Sequence, residues 1–282
     1  MNRIDYDYFR LICDVLEGNE KETRNSVTRS INTASITITK PPLISVRKTA
    51  WKNALLEFEW FMSGSTNIKD LDPKVRHWWK PWANKEGEIK HGYGKQLTRF
   101  TGENHNTRYP DDLDTDSTHQ IFNSLELLKT DPNSRRNVIT TWNAHDMLDA
   151  PITNCHGTVI QFFVNPDKTV DMTMYQRSVD VIVGLPHNLI QYWAFLQYMS
   201  KKAGLTPNRF TWIGGDCHIY KEHFELANEI KKEFSNNFDQ SILTEQSIEM
   251  DYLDRYSNFK AKDFILIGDY NPIINKKATL VV

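Results

Sequence analysis

Cys155 and His156 stand side by side in the stretch ITNCHGTVIQFF, at the mouth of an apolar run. A lone cysteine in such a run is most often a small buried hydrophobe. It becomes a nucleophile where nearby cations favour its thiolate. The chain has candidates: Arg135 and Arg136 in NSRRNV, Arg177 beside Ser178 in YQRSVD, and Arg24 in ETRNS. Guanidinium forks at strand edges, with a hydroxyl beside them, suit a phosphate dianion. The plain alternative is a solvated face of salt bridges. A Cys155–His156 thiol–imidazole pair is excluded on a strand, because neighbours there point to opposite faces. Asp216, Cys217, His218 and His223 contain metal-ligand types, but their spacing matches no ordinary zinc pattern, so no metal is expected. The glycine-rich dinucleotide and phosphate loops, HExxH and CxxC are all missing.

The elements that must position these residues are legible from periodicity. Residues 5–17 place Phe9, Ile12, Cys13 and Leu16 on one helical face, and Gly18 stops the helix. SITITKPPLISV alternates and then breaks at Pro41–Pro42, a strand running into a bend. AWKNALLEFEWFMSG reads as a buried helix ending at Gly64. Residues 66–118 are loop-rich, and a stretch that long is more often functional than idle. HQIFNSLELLKTDPNS is a helix stopped by Pro132. RRNVITTWN, TVIQFFVN and TVDMTMYQRS are β-branched and aromatic, hence strands. NLIQYWAFLQYMSKKAG is a long helix closed by Gly204. RFTWIGG is a strand, KEHFELANEIKKEF an amphipathic helix and DFILIGDY a late strand. Mixed elements without regular alternation predict an α+β fold, one large sheet packed by a few long helices.

Composition narrows the function. The 282 residues are ample for a real core, with 39% hydrophobic and 25% charged residues. The net charge of −2 gives no electrostatic case for nucleic acid or membrane. Eight tryptophans point to a packed core or a pocket for a flat ligand. Three cysteines argue against a disulfide framework and for a reducing compartment. No secretory leader or long apolar run is visible, so a cytoplasmic location is expected.

YQRSVDVIVGLPHN, a long helix and then GGDCHIY closely resemble the signature of the thymidylate synthase family. EFEWFMSGSTN, WWKPWA, YGKQ, DPNSRRNVITTWN, NCH and YNPIINKKATLVV follow in the family's order, across nearly the whole chain. The resemblance implies a single catalytic domain over residues 1–282, a mixed β-sheet with long helices, and a sheet face that forms a homodimer interface. It implies one-carbon transfer to C5 of dUMP from 5,10-methylenetetrahydrofolate. Cys155 matches the nucleophile that adds at C6. Glu57 matches the carboxylate that manages protons, and Tyr93, His156 and Asp180 match further catalytic positions. Arg24, Arg177, Ser178 and Gln176 match the nucleotide side, with Arg135 and Arg136 supplied by the other subunit. Asn188 matches the residue that reads the pyrimidine edge; cytosine-specific relatives carry Asp there. His218 and Tyr220 match ribose contacts. Trp79, Trp82, Asp180, His187 and the terminal Val282 match the folate side. Read from residues alone, Trp79 could equally be core, Glu57 an odd buried acid, and Asn188 a helix cap.

The resemblance has gaps. RNSVTRS lacks the family's glycines, and the segment from Arg24 to Pro42 is short, which makes Arg29 a rival to Arg24. Asn154 stands where the family has proline, His187 where it has an aromatic, Trp78 precedes Trp79, and Ile273 replaces a histidine. CHGTVIQF is one residue longer than usual, read as a bulge. These changes gather on the folate side. EFEWF, KEGEIKHGYG and the HF after HIYKE look more like the nucleotide hydroxymethylases of some bacteriophages. The expected product is therefore 5-hydroxymethyl-dUMP, which would place the enzyme in a phage-infected host cytoplasm. Trp82 and the full-length tail look instead like the synthase, whose product is dTMP. A non-catalytic nucleotide-binding relative is the remote alternative.

Overall fold

The computed structural model describes residues 3–101, 117–237, 247–251 and 258–281. Helix α1 spans Arg3–Leu16, and strands β1 (Asn19–Glu22) and β2 (Val27–Ile38) follow. Helix α2 covers Trp51–Met62, α3 Pro73–Trp79, α4 Tyr93–Thr98 and α5 Gln120–Thr130. Then come β3 (Val138–Ile139), β4 (Val159–Val164), β5 (Thr169–Asp180), α6 (Gly184–Lys202), β6 (Thr206–Tyr220) and α7 (Phe224–Asn237). A small ribbon pairs β7 (Ser247–Met250) with β8 (Phe264–Ile267).

Six strands form one sheet in the order β1-β2-β6-β5-β4-β3. Only β5 and β6 run parallel, joined by α6; the other neighbours are antiparallel. The sequence dictates which face is covered. On β5, Val170, Met172, Met174 and Gln176 alternate as buried residues, while Thr173 and Tyr175 are exposed. Period-2 alternation of this kind marks a sheet covered on one side. Helix α6 lies on the buried side and is itself buried over Leu185–Pro186 and Asn188–Ser200, since it packs between the sheet and α2. Phe58 of α2 meets Tyr192 and Phe195 of α6 edge-on, with ring centroids 5.6 and 5.7 Å apart.

Several sequence expectations change. The buried face of α1 is Ile4, Tyr8, Leu11, Ile12, Val15 and Leu16. Cys13 is only half-buried, and Phe9 stacks on Phe234 of α7 at 4.3 Å, so two packing partners pull the helix off a single stripe. The described part of 66–118 is not structureless: it holds α3 and α4. RRNVITTWN contributes only a two-residue strand. Helix α6 starts at Gly184, so Asn188 lies inside it and is not a cap. Strand β6 runs on through DCHIY, which carries His218 and Tyr220 into the sheet.

A buried anchor holds the N-terminal helix to the segment before α2. Asp5 accepts hydrogen bonds from Ser45 N (2.6 Å), Ser45 Oγ (2.6 Å) and Val46 N (3.3 Å). Buried Arg47 next door donates to Ile182 O through Nε (3.2 Å) and Nη2 (2.8 Å). The C-terminal tail lies along the same segment, with Ile273 N and Ile274 N donating to Ser45 O (2.8 Å) and Val46 O (3.1 Å). Asp5→Ala leaves buried donors unpaired and should lower the unfolding free energy by about 2–3 kcal/mol. Urea denaturation checks this; an unchanged midpoint would show that the anchor carries no stability.

Candidate active site

Cys155 lies on a loop just ahead of β4, not on a strand. Backbone partners fix it. Arg177 N on β5 donates to Cys155 O (2.9 Å), and the Arg177 guanidinium donates to Asn154 O (3.0 Å), Thr153 O (3.0 Å) and Thr153 Oγ1. From the other side, the Tyr93 hydroxyl accepts from Cys155 N (2.8 Å) and His156 N (3.3 Å), and its oxygen stands 3.5 Å from Cys155 Sγ. The loop turns at Gly157, whose φ of +62° favours glycine; a Cβ there would lie 2.2 Å from the Tyr192 hydroxyl. The β4–β5 register itself is continuous, so no bulge is present there.

A second constellation is a chain of amides that links β6, β5, α6 and α2. Trp212 Nε1 donates to Gln176 Oε1 (3.0 Å), and Gln176 Nε2 to Asn188 Oδ1 (2.9 Å). Asn188 Nδ2 donates to Gln191 Oε1 (3.1 Å), and Gln191 Nε2 to Glu57 Oε2 (2.7 Å). Trp79 Nε1 closes the chain on Glu57 Oε1 (2.6 Å). Gln176 and Arg177 are consecutive on β5, so one strand touches both the amide chain and the cysteine loop.

The electrostatics follow from burial. Burial pushes the Glu57 carboxyl up to about 7, against the two hydrogen bonds that favour its anion. Burial raises the Cys155 thiol, opposed by the Tyr93 hydrogen bond and the Arg177 charge. The sequence led us to expect arginines to lower this thiol; in the structure desolvation outweighs them, and Arg135 and Arg136 are exposed on the turn after α5. Burial lowers His156 to about 3, so its ring is neutral. His156 stacks on Tyr93 at 4.2 Å, and its Nδ1 is 2.9 Å from the Tyr192 hydroxyl.

The remaining predicted residues fall around these two groups. Arg24 sits in the β1–β2 turn, with Nε donating to Asn25 Oδ1 (3.1 Å), and its charge acts on Tyr220. Its rival Arg29 is committed elsewhere, to Leu16 O (3.2 Å), Glu20 (3.6 Å) and the Phe224 ring (4.8 Å). Ser178 pairs with Asp216 across β5 and β6. His218 Nδ1 is 3.0 Å from Asp216 Oδ1, and the His218 and Tyr220 rings meet at 4.9 Å. Trp79 and half-buried Trp82 meet edge-on at 5.9 Å. Asp180 Oδ1 accepts from Ile182 N (2.8 Å) and Val183 N (3.0 Å) at the start of α6. His187 packs 5.4 Å from Trp78, and its Nδ1 is 2.9 Å from Val183 O. Val282 lies outside the described residues. No group of three or more metal-ligating side chains occurs among the described residues.

Sequence reasoning missed Gln191, Tyr192, Trp142 and Thr153. Gln191 and Tyr192 stand three and four residues beyond Asn188, on the same helical face, which is a readable signal. Trp142 carries the Arg177 guanidinium over its ring at 5.2 Å, and nothing in the sequence marks it or Thr153.

The fold is α+β, and β5 brings together in it one braced cysteine and one carboxyl that burial pushes up to about 7. The family model for thymidylate synthase matches residues 6–282. Thymidylate synthases of Corynebacterium aurimucosum and Francisella philomiragia are each 32% identical to the chain. The first alignment covers 86% of this chain and 82% of the relative, the second 85% of each. That of Zymomonas mobilis is 28% identical over 95% of this chain and 96% of its own length. The chain belongs to the thymidylate synthase family. It is thus a one-carbon transferase, of a family that uses methylenetetrahydrofolate as co-substrate.

Because folded Glu57 holds its proton up to about pH 7 against an ordinary 4.5, its contribution to stability is full below about pH 4.5 and is lost as pH rises through 7. Glu57→Gln should therefore flatten the fall in unfolding free energy across that window. Chemical denaturation at a series of pH values reads the slope; an equal slope in both proteins would contradict the assignment.

Proposed function

We propose that the chain adds a one-carbon unit to C5 of dUMP through a covalent adduct between Cys155 and C6, and that its product is 5-hydroxymethyl-dUMP. The observation that carries the reaction is the joining, through β5, of the braced Cys155 to the amide chain that ends on Glu57.

Pyrimidine C5 is a poor nucleophile. A thiolate adding at C6 makes C5 an enolate carbon, which splits one hard step into easier ones. Tyr93 and Arg177 are the side chains that favour the Cys155 thiolate. Asn188 keeps one N–H and one Oδ1 lone pair beyond its bonds to Gln176 and Gln191, the pair that O4 and N3–H of uracil require. Glu57, held near pH 7, can give and take a proton through water at O4. Arg24, Arg177 and Ser178 would take the phosphate, and His218 and Tyr220 the ribose hydroxyl.

The folate side suits a flat heterocycle with N–H donors. Trp79 and Trp82 form an angled aromatic wall, and Asp180 Oδ2 is buried with no hydrogen-bond donor among the described residues. Bound methylenetetrahydrofolate supplies the one-carbon unit and, in dTMP formation, the hydride as well.

The product assignment rests on His187. Its Nδ1–H donates to Val183 O, so Nε2 is a lone pair, buried and without a partner among the described residues. Burial lowers this ring to about 4, so it stays an acceptor. A buried acceptor packed against Trp78, at a position where the family carries an aromatic, favours holding a water. Once a base takes the C5 proton and tetrahydrofolate leaves from the transferred carbon, C5 carries an exocyclic methylene. Water oxygen then bonds to that carbon, and the water proton passes to a base. The electron pair moves onto the C4 enolate and returns to form C5=C6, expelling the Cys155 thiolate. The second reading, dTMP, is favoured by the three relatives, which are all thymidylate synthases. Incubation with dUMP and methylenetetrahydrofolate separates them. A hydroxymethyl mass gain without dihydrofolate is expected; a methyl gain with stoichiometric dihydrofolate would overturn the product assignment, and no mass gain would overturn the reaction.

We further propose a homodimer through the outer sheet face, where Phe163, Tyr175 and Val159 are exposed beside Gln161, Thr173 and Thr211. Arg135 and Arg136 of one copy would reach the other's phosphate site. Inactive Cys155→Ser and Arg136→Ala proteins, mixed and re-equilibrated, should then regain about a quarter of wild-type activity, since half of random dimers carry one whole site of two. No recovery would show that each subunit supplies its own arginines.

A further inference from the structure

His223 follows HIY at the end of β6, in the 3₁₀ turn Lys221–His223 that leads into α7, and it is buried. Its two ring nitrogens face two acceptors from distant parts of the chain. Nε2 is 2.9 Å from Thr279 O of the C-terminal tail. Nδ1 is 3.9 Å from Asp180 Oδ2. Both Nδ1 and Oδ2 are buried without a hydrogen-bond partner among the described residues. Buried polar atoms are seldom left so, and two of them facing one another form a gap that one shared proton fills. A closure of about 1 Å makes the contact a hydrogen bond of ordinary length.

We propose that His223 is a positioning residue that couples the C-terminal tail to Asp180. The neutral ring has one N–H and serves one acceptor; the imidazolium has two and serves both. Asp180 is well placed to pass the tail's position on. Its other oxygen holds Ile182 N and Val183 N, at the entry to the helix that carries His187 and Asn188. The tail has two independent holds on the same region, since Ile274 pairs with the segment of Arg47, and Arg47 donates to Ile182 O. Docking the tail and orienting the Asp180 carboxylate are then one event. The consequence for folate binding rests on the proposed function; the coupling itself does not.

The test therefore reads the tail without turnover. Carboxypeptidase release of Val282, Val281 and Leu280 is timed on the 282-residue chain, in wild type and in His223→Asn, Asp180→Asn and the double variant. His223→Asn should speed release several-fold. Asp180→Asn should speed it too, although the described structure gives Asp180 no contact with the tail. The double variant should be no faster than His223→Asn alone, because both break one link. His223→Gln, which keeps a donor for Thr279 O but cannot carry charge, should hold the tail better than Asn and be insensitive to Asp180→Asn. Circular dichroism and dUMP binding confirm that each compared variant is folded. Unchanged release in Asp180→Asn, or the same acceleration by Asp180→Asn in both backgrounds, would overturn the coupling. For an active enzyme, a rise in KM for methylenetetrahydrofolate with KM for dUMP unchanged is also expected; a parallel rise in both would count against a folate-side role.

Discussion

A thiol on a loop has no strand ladder to hold it, and the rest of the site depends on how Cys155 is held without one. Arg177 grips the loop from below through its own N–H and its guanidinium, and Tyr93 receives two loop N–H groups from above. Each support is itself braced. Arg177 stands on β5, fixed by its parallel pairing with β6. Gly215 on β6 lets that pairing close, since a Cβ there would lie 2.7 Å from Arg177 O. Tyr93 begins α4, where Lys95 and Gln96 donate to the buried Asp146 carboxylate at 2.8 and 2.6 Å. Asp146 precedes Cys155 on the same stretch of chain, so the clamp ties the helix of Tyr93 to the segment that leads to the cysteine.

Burial sets the resting charges. It holds Glu57 close to its midpoint at neutral pH, keeps His156 neutral and raises the Cys155 thiol. Of these three groups, Glu57 is the one that burial places near pH 7, which suits proton traffic. His156 serves by shape, stacked on Tyr93 and bonded to Tyr192. Burial opposes ionisation of the Cys155 thiol, and the two side chains that favour it, Tyr93 and Arg177, are the same two that hold its loop.

Much of this was legible in the chain and some was not, for physical reasons. The long helices and strands show in their periodicity because each buries a single face, as β5 and α6 do. Helix α1 misled because Phe9 packs on α7 while its neighbours pack on the sheet, and no local pattern encodes two partners. Asn188 looked like a cap because Gly184 and Pro186 hide the true start of α6. Cys155 looked like a strand residue because the apolar run begins just after it. Arg177 could be read as a cation in an apolar stretch. That it binds main-chain oxygens of Thr153 and Asn154 could not, since carbonyl partners leave no trace in side-chain identity.

The account turns on Cys155 adding to the pyrimidine, and that step can be watched without folate and whatever the product. Addition at C6 makes C5 a carbon base, which takes a deuteron from heavy water, and elimination returns labelled dUMP. The measurement is deuterium incorporation at C5 of dUMP in heavy water, by mass spectrometry, for the wild type, Cys155→Ala and Arg177→Ala. The account predicts label with the wild type, none with Cys155→Ala, and a loss of at least tenfold with Arg177→Ala even when dUMP is saturating. Exchange that survives in Cys155→Ala, or a wild type that gives none, would contradict it.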